Sequence, residues 1–212
     1  MYSIKEIFYS IQGEGYHAGR PAVFCRFSGC NLWSGREEHR SSSVCKFCDT
    51  DFVGTGGING GVYRFSAELA HKISLVWPVR KSKSVRPFVV CTGGEPLLQL
   101  DQALIRDLHE EGFTIAVETN GTLPAPAGLD WICVSPKAGV ELVQTSGDEL
   151  KLVYPQAGVD PQQYATMDFR HFFLQPMDGV DRKEATRQTL EYVLAHPEWQ
   201  ISLQLHKISD VR

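Results

Sequence analysis

Residues 2–9, YSIKEIFY, alternate apolar and polar side chains, the period of a strand with one buried face. Pro21–Ser28 predicts a second strand, and short apolar runs at Phe88–Thr92, Phe113–Thr119, Asp130–Ser135, Glu149–Tyr154 and His171–Gln175 continue the series. Between some of these runs the period lengthens to that of a helix. Leu69, Ile73, Val76 and Trp77 share one face of Ser66–Trp77, with Ser66 as a cap and Pro78 as a stop. Leu104, Ile105 and Leu108 do the same over Asp101–Glu111, which Gly112 ends. Asp181–Glu184 has the form of a capping box and opens a helix to about Ala195, and Ile201–His206 closes the pattern. Ser10–Gly15 reads as a turn, Gly54–Gly61 as a flexible loop, and 79–86 as a basic surface connector without aromatic residues.

Strands alternating with helices predict an α/β architecture on a parallel sheet, either doubly wound or curled toward a barrel. At 212 residues the length fits one domain, residues 1–212. Four polar or glycine-rich signatures stand just after strands: Gly93–Pro96, Glu118–Gly121, Ser135–Lys137 and Gln175–Asp178. Parallel α/β proteins bind ligands at the carboxyl ends of their strands, so these signatures are expected to meet on one rim, as in an enzyme.

A net charge of −4 and a pI near 6.0 provide no electrostatic footprint for nucleic acid or an anionic membrane. The start, MYSIKEIFYS, has no basic segment before a long apolar one, and no run is long enough to span a membrane. A cytoplasmic location is the expectation. In a reducing compartment the six cysteines read as ligands or buried small side chains, not as disulfides. Cys25, Cys91 and Cys133 each sit inside a strand-like run and read as packing residues.

Cys30, Cys45 and Cys48 stand apart, with fourteen residues between the first two and two between the last two. The close pair can turn both thiolates onto one metal, and the third arrives from the end of the second strand. Three thiolates leave a coordination position open, on a catalytic zinc or on a 4Fe–4S cluster, and ligand softness does not separate these. His39, in the charged middle of the loop, is the conceivable fourth ligand, and a solvated histidine is the plainer reading. Gln12 and Glu14 supply an amide and a carboxylate on the glycine-bearing turn. Arg26, embedded in an apolar run, requires a protein carboxylate or an anionic ligand.

The three cysteines with Phe47, followed by Thr92-Gly93-Gly94-Glu95-Pro96, resemble the radical S-adenosylmethionine (SAM) superfamily. That superfamily commonly has three residues between its first two cysteines. The longer spacing here, the Gln12–Gly15 turn and the short chain resemble the 7-carboxy-7-deazaguanine synthase family, from about Ile4 to Lys207. The resemblance implies a partial, modified (β/α) barrel of about six parallel strands with a reduced helix set, and a cluster-binding loop at 30–50. It implies a lyase that converts 6-carboxy-5,6,7,8-tetrahydropterin to 7-carboxy-7-deazaguanine with loss of ammonia, in queuosine biosynthesis. SAM would be used catalytically, with Mg²⁺ required.

By the same resemblance, Cys30, Cys45 and Cys48 hold the 4Fe–4S cluster and Thr50 is the Mg²⁺ ligand. Hard-cation chemistry alone would point to Asp49 or Asp51. Phe47, Cys48, Asp49 and Gly94 are implied at the SAM site, with Gly93 and Gly94 leaving room for it. Ser135, Pro136 and Lys137 are implied on its sulfonium or ribose side, with Glu118 a further ribose candidate. Gln175, Pro176, Met177 and Asp178 are implied at the adenosine. Ile11, Gln12, Gly13, Arg26 and Thr92 are implied at the pterin, together with the carboxylate of Arg212. Family members end in a His-Lys-Tyr-Leu-Asn-like run, where this chain has His206-Lys207-Ile208-Ser209-Asp210-Val211-Arg212. The implied partners are the pterin, an electron donor such as a flavodoxin, and a second copy in a homodimer. Two alternatives are an activase that makes a glycyl radical on a partner, and a zinc or iron–sulfur binding module without catalysis.

Overall fold

The computed structural model describes residues 1–78 and 85–209. The alternating and apolar runs form β1 (Tyr2–Ile11), β2 (Pro21–Phe27), β3 (Gly61–Tyr63), β4 (Phe88–Gly93) and β5 (Thr114–Thr119). They continue as β6 (Trp131–Val134), β7 (Ser146–Tyr154), β8 (Asp168–Pro176) and β9 (Gln200–Ile201). All belong to one sheet in the order β3-β1-β2-β4-β5-β6-β7-β8-β9. From β2 to β9 neighbouring strands are parallel, while β1 and β3 add an antiparallel edge. The sheet is open, a partial barrel. It has seven parallel strands, one more than the resemblance implied, because the two-residue β9 pairs beside β8.

The helices are α1 (Ser66–Val76), α2 (Gln102–Glu110), α3 (Arg182–Ala195) and the short α4 (Leu205–Ser209). No α-helix lies between β5 and β6, β6 and β7, or β7 and β8, so the helix set is reduced as expected. None of the described helices is long and apolar enough to cross a membrane.

Strand periodicity divides the sheet into two chemical faces. Val23, Cys25, Val89, Cys91, Ile115 and Val117 point to one face and pack with Leu69, Ile73, Leu104 and Leu108 of α1 and α2. On the far half, Val134, Leu150, Leu152 and Leu174 pack with Tyr192 and Val193 of α3. The intervening positions point the other way. Near the strand starts these are Phe88, Val90 and Ala116, and near the carboxyl ends they become Arg26, Thr92, Glu118, Lys151 and Gln175. The polar wall of the site is therefore the second phase of the same alternation that builds the core.

Several local expectations change. Asp101 caps α2, accepting from the Leu104 N–H at 3.0 Å. Ser66 is instead the first helical residue of α1, behind Phe65, with no side-chain cap. Asp181 also makes no cap bond, and Glu184 is drawn away to Arg187 at 2.6 Å. Ile201–His206 splits into the end of β9 and the start of α4. The glycine loop at 54–61 is pinned to β1, with Gly57 N on Lys5 O at 3.0 Å and Ile7 N on Ile58 O at 2.8 Å. A Cβ at Gly60 would stand 2.2 Å from Lys5 O, so glycine there permits close backbone packing. Most of the 79–86 connector lies outside the described residues.

Candidate active site

The loop after β2 carries the three expected thiols into one cleft at the carboxyl rim, beside Phe47, Gly94, Ser135 and Lys137. Leu32 N donates to Cys30 Sγ at 3.4 Å, and the Cys48 thiol donates to Thr50 O at 4.0 Å. Cys45 and Cys48 share a hydrogen bond. That bond brings Cys45 down to about 7 against burial, with help from the Lys137 ammonium, and pushes Cys48 up. Burial raises Cys30. Among the described residues no three His, Cys, Asp or Glu side chains converge as closely as a bound ion would draw them. His39 is exposed, bonded to Ser34 Oγ at 2.9 Å, and lies away from the thiol cleft. The other three cysteines are buried, as expected of packing residues.

The Gly93–Pro96 turn closes the cleft from below. Glu95 is fully buried and accepts from Thr119 Oγ1, Asn120 N and Leu97 N at 2.8, 2.8 and 2.9 Å. It fastens the end of β4 to the end of β5. Protein backbone already requires glycine at both positions. A Cβ on Gly93 would stand 2.2 Å from Phe27 O, and one on Gly94 would stand 2.0 Å from Gly29 O and 2.8 Å from Cys30 Cβ.

A charge network lines the opposite wall. Lys151 donates to Glu14 at 2.8 Å and to Glu118 at 2.9 Å, while Gln12 donates to Glu118 at 3.2 Å. Gln175 and Gln204 hold the second oxygen of the pair on Glu14 at 3.2 and 2.9 Å. Burial opposes the charge on Glu14, yet Lys151 and the Gln204 amide hold its pKa down to about 2. Burial also opposes the Lys151 charge, and Cys133, Glu118, Glu14 and Glu149 around it outweigh that penalty and raise it. Glu149 accepts from Tyr16 N at 3.1 Å, fixing the turn that carries Gln12 and Glu14.

The thiol cleft, about 990 Å³ with its open mouth, adjoins a second of about 1220 Å³. They share Glu14, Asp49, Thr50, Thr92, Glu118 and Gln204. Ile11, Gln12, Gly13 and Arg26 line the second, while Gln175, Pro176 and Asp178 line the first. Pro136 is buried and Met177 contacts Tyr154 through its backbone N–H, and neither lines a cleft. Arg212 lies outside the described residues. The partner that Arg26 needs is provided within the protein: its Nε donates to Glu6 at 3.0 Å.

Lys151 and Gln204 are not among the residues expected at the site, and Lys207 is expected only as part of the terminal run, without a role. Lys151 had a signal, a charged residue inside the apolar strand run LKLV, of the kind that singled out Arg26. Gln204 had none, and Lys207 had only its place in the terminal His206-Lys207 run; both matter because α4 folds over the rim. There Lys207 pairs with Asp49 and, at 2.6 Å, with Asp178.

An open, mostly parallel sheet bearing a three-thiol loop at its carboxyl rim has the arrangement of an α/β enzyme that binds its ligands at the strand ends. No protein-family model matches the chain. It is 59% identical over 206 residues to the 7-carboxy-7-deazaguanine synthase of Caulobacter vibrioides, covering 97% of each chain. It is 55% identical over 210 residues to the enzyme of the same name from Burkholderia multivorans, covering 99% of each. The crystal structure of QueE from Escherichia coli matches with a TM-score of 0.68 at 27% identity, over 97% of this chain and 94% of that one. The chain belongs to the 7-carboxy-7-deazaguanine synthase family.

Proposed function

We propose that the chain, acting as a single radical SAM domain, converts 6-carboxy-5,6,7,8-tetrahydropterin to 7-carboxy-7-deazaguanine with loss of ammonia, a step toward queuosine. One observation carries the reading at the level of the site: the thiol cleft opens directly onto a second cleft lined by Gln12, Arg26 and Thr92. Cofactor and substrate would then share a wall.

Cys30, Cys45 and Cys48 would hold a 4Fe–4S cluster, a fit supported by their common cleft and the Leu32 N–H that faces the Cys30 sulfur. When bound, the cluster and SAM supply the one-electron chemistry that starts hydrogen abstraction. Phe47, Asp49, Gly94 and Asp178 would line the SAM side, with Ser135 orienting Lys137 through bonds of 2.7 and 2.6 Å. Gln175 would contribute through its position beside Glu14. Leu32, Trp33, Phe47 and Phe52 form an apolar side of the same cleft that excludes water.

On the substrate side, Gln12 is fixed at both ends of its amide, by Glu118 and by Glu14 N, and so presents a rigid surface beside Ile11 and Gly13. Arg26, braced on Glu6, would receive the pterin carboxylate. Thr50 would hold Mg²⁺ through its hydroxyl. Its carboxylate neighbours support that assignment, because Asp51 is already paired with Lys5 at 2.7 Å and Asp49 with Lys207. A flavodoxin-type electron donor, a homodimer and a cytoplasmic setting belong to the same reading.

The test is anaerobic reconstitution, followed by reduction with SAM, Mg²⁺ and the carboxypterin. Formation of 7-carboxy-7-deazaguanine, identified by mass, is the expected outcome. A colourless zinc protein would exclude both radical readings, and a loaded cluster without product would favour the activase.

A further inference from the structure

Of the fourteen residues between Cys30 and Cys45, Leu32 and Trp33 line the thiol cleft, and the charged remainder is not used by the chemistry above. They contain a short 3-10 helix at Glu37–Ser42, and one side chain of that helix reaches the close cysteine pair. Arg40 Nη1 donates to Lys46 O at 3.0 Å and to Cys48 O at 3.1 Å. Its Nε donates to both oxygens of Glu37 at 2.8 Å, and its guanidinium lies 4.0 Å over the Trp33 ring. Ser43 Oγ adds a bond to Cys45 O at 3.0 Å. Carbonyls of the Cys45–Cys48 turn are thus gathered toward the insertion.

The carbonyl of residue 46 and the N–H of residue 47 belong to one planar trans peptide, so they point in opposite directions. Fastening Lys46 O to Arg40 aims the Phe47 N–H away from Arg40 and fixes the orientation of that peptide between the two close cysteines. We propose that Arg40 is a positioning residue for the iron–sulfur cluster. It fixes the backbone of the Cys45–Cys48 turn through the Lys46 and Cys48 carbonyls, and it stations a guanidinium charge behind the ligand pair. Only arginine has a planar fork that can bind two carbonyls and a carboxylate while stacking on an indole. Hydrogen bonds and charge around cluster sulfurs govern both retention and reduction potential. The inference rests on the cluster reading of Cys30, Cys45 and Cys48.

The experiment uses the full chain, reconstituted anaerobically with iron and sulfide, as wild type, Arg40→Gln, Arg40→Lys and Arg36→Gln. Arg36 is an exposed arginine of the same loop, paired only loosely with Glu38 at 3.8 Å, and it controls for loss of charge. The readouts are iron release to a chelator and the midpoint potential from an EPR-monitored redox titration. Arg40→Gln should release iron about tenfold faster than wild type and titrate at a more negative potential. Arg40→Lys should fall between the two, and Arg36→Gln should match wild type. Wild-type release and potential in Arg40→Gln would overturn the proposal, as would equal changes in Arg36→Gln. If Arg40→Gln does not fold, Arg40→Lys decides: faster release supports the proposal and wild-type release overturns it. A wild type that takes up no cluster would defeat the parent reading, which separates that failure from failure of the Arg40 assignment.

Discussion

Lys151 reaches Glu14 across 137 residues of sequence and binds it at 2.8 Å. The same ammonium, only 5% exposed, also binds Glu118 at 2.9 Å, so one cation serves two carboxylates at the mouth of both clefts.

Lys151→Met removes that shared cation and leaves two carboxylates in a largely enclosed wall held by glutamine amides alone. Urea unfolding at neutral pH should show a loss of about 3 kcal/mol, and product formation should fall below detection. The wild type should also carry an acid-side signature. Glu14 is held near 2 in the folded chain against an ordinary value of 4.5, so its contribution is full above pH 4.5. That contribution should drain away as pH falls from about 4.5 toward 2, and a series of Tm values in that range should show the slope in wild type and not in Lys151→Met.

Glu149 has the opposite sign. Burial lifts it to about 7, with Lys151 opposing and Glu118 adding to the rise, and its Oε1 has no hydrogen-bond partner. A carboxyl whose folded pKa is raised loses stability as pH climbs from its unfolded value, near 4.5, through 7. Glu149→Gln keeps an acceptor for Tyr16 N and removes the ionisation. Its Tm should exceed that of wild type at pH 8 and match it at pH 5. A lower Tm at pH 8 would mean that the ionised form is the stable one.

Gly94→Ala should damage the cysteine loop more than the fold, because its Cβ would press on Gly29 O and Cys30 Cβ. Far-UV circular dichroism should stay close to wild type, while iron content after reconstitution should fall at least several-fold. Full iron loading in this variant would show that the loop can yield without loss.

These residues also mark how far the sequence could be read. The strands were visible because each buries one face, and Arg26, Thr92 and Glu118 share the opposite face by the same period. Glu95 stood inside a recognisable turn, but its burial against Thr119 and Asn120 follows from β4 lying beside β5, a pairing that local sequence does not encode. The caps at Ser66 and Asp181 failed because a side chain suited to capping has competing partners, as Glu184 has in Arg187. Ile201–His206 failed because its apolar residues serve two short elements, and only the edge of β8 decides where β9 ends.

Thr50→Ala should raise the Mg²⁺ concentration needed for half-maximal turnover by about tenfold, with SAM binding little changed. Asp51→Asn, whose carboxylate is already engaged by Lys5, should shift it far less. A larger effect from Asp51→Asn would transfer the metal to the carboxylate.

The bond from Gln204 to Glu14 spans 190 residues, and it closes the wall that the thiol cleft faces. During synthesis the cysteines emerge early, and this closing contact cannot form until Gln204 has followed. The thiols therefore spend most of the chain's elongation beside an unfinished wall, open to iron, sulfide and oxidants alike. A nascent chain thus cannot enclose its three thiols until nearly all of it has been made.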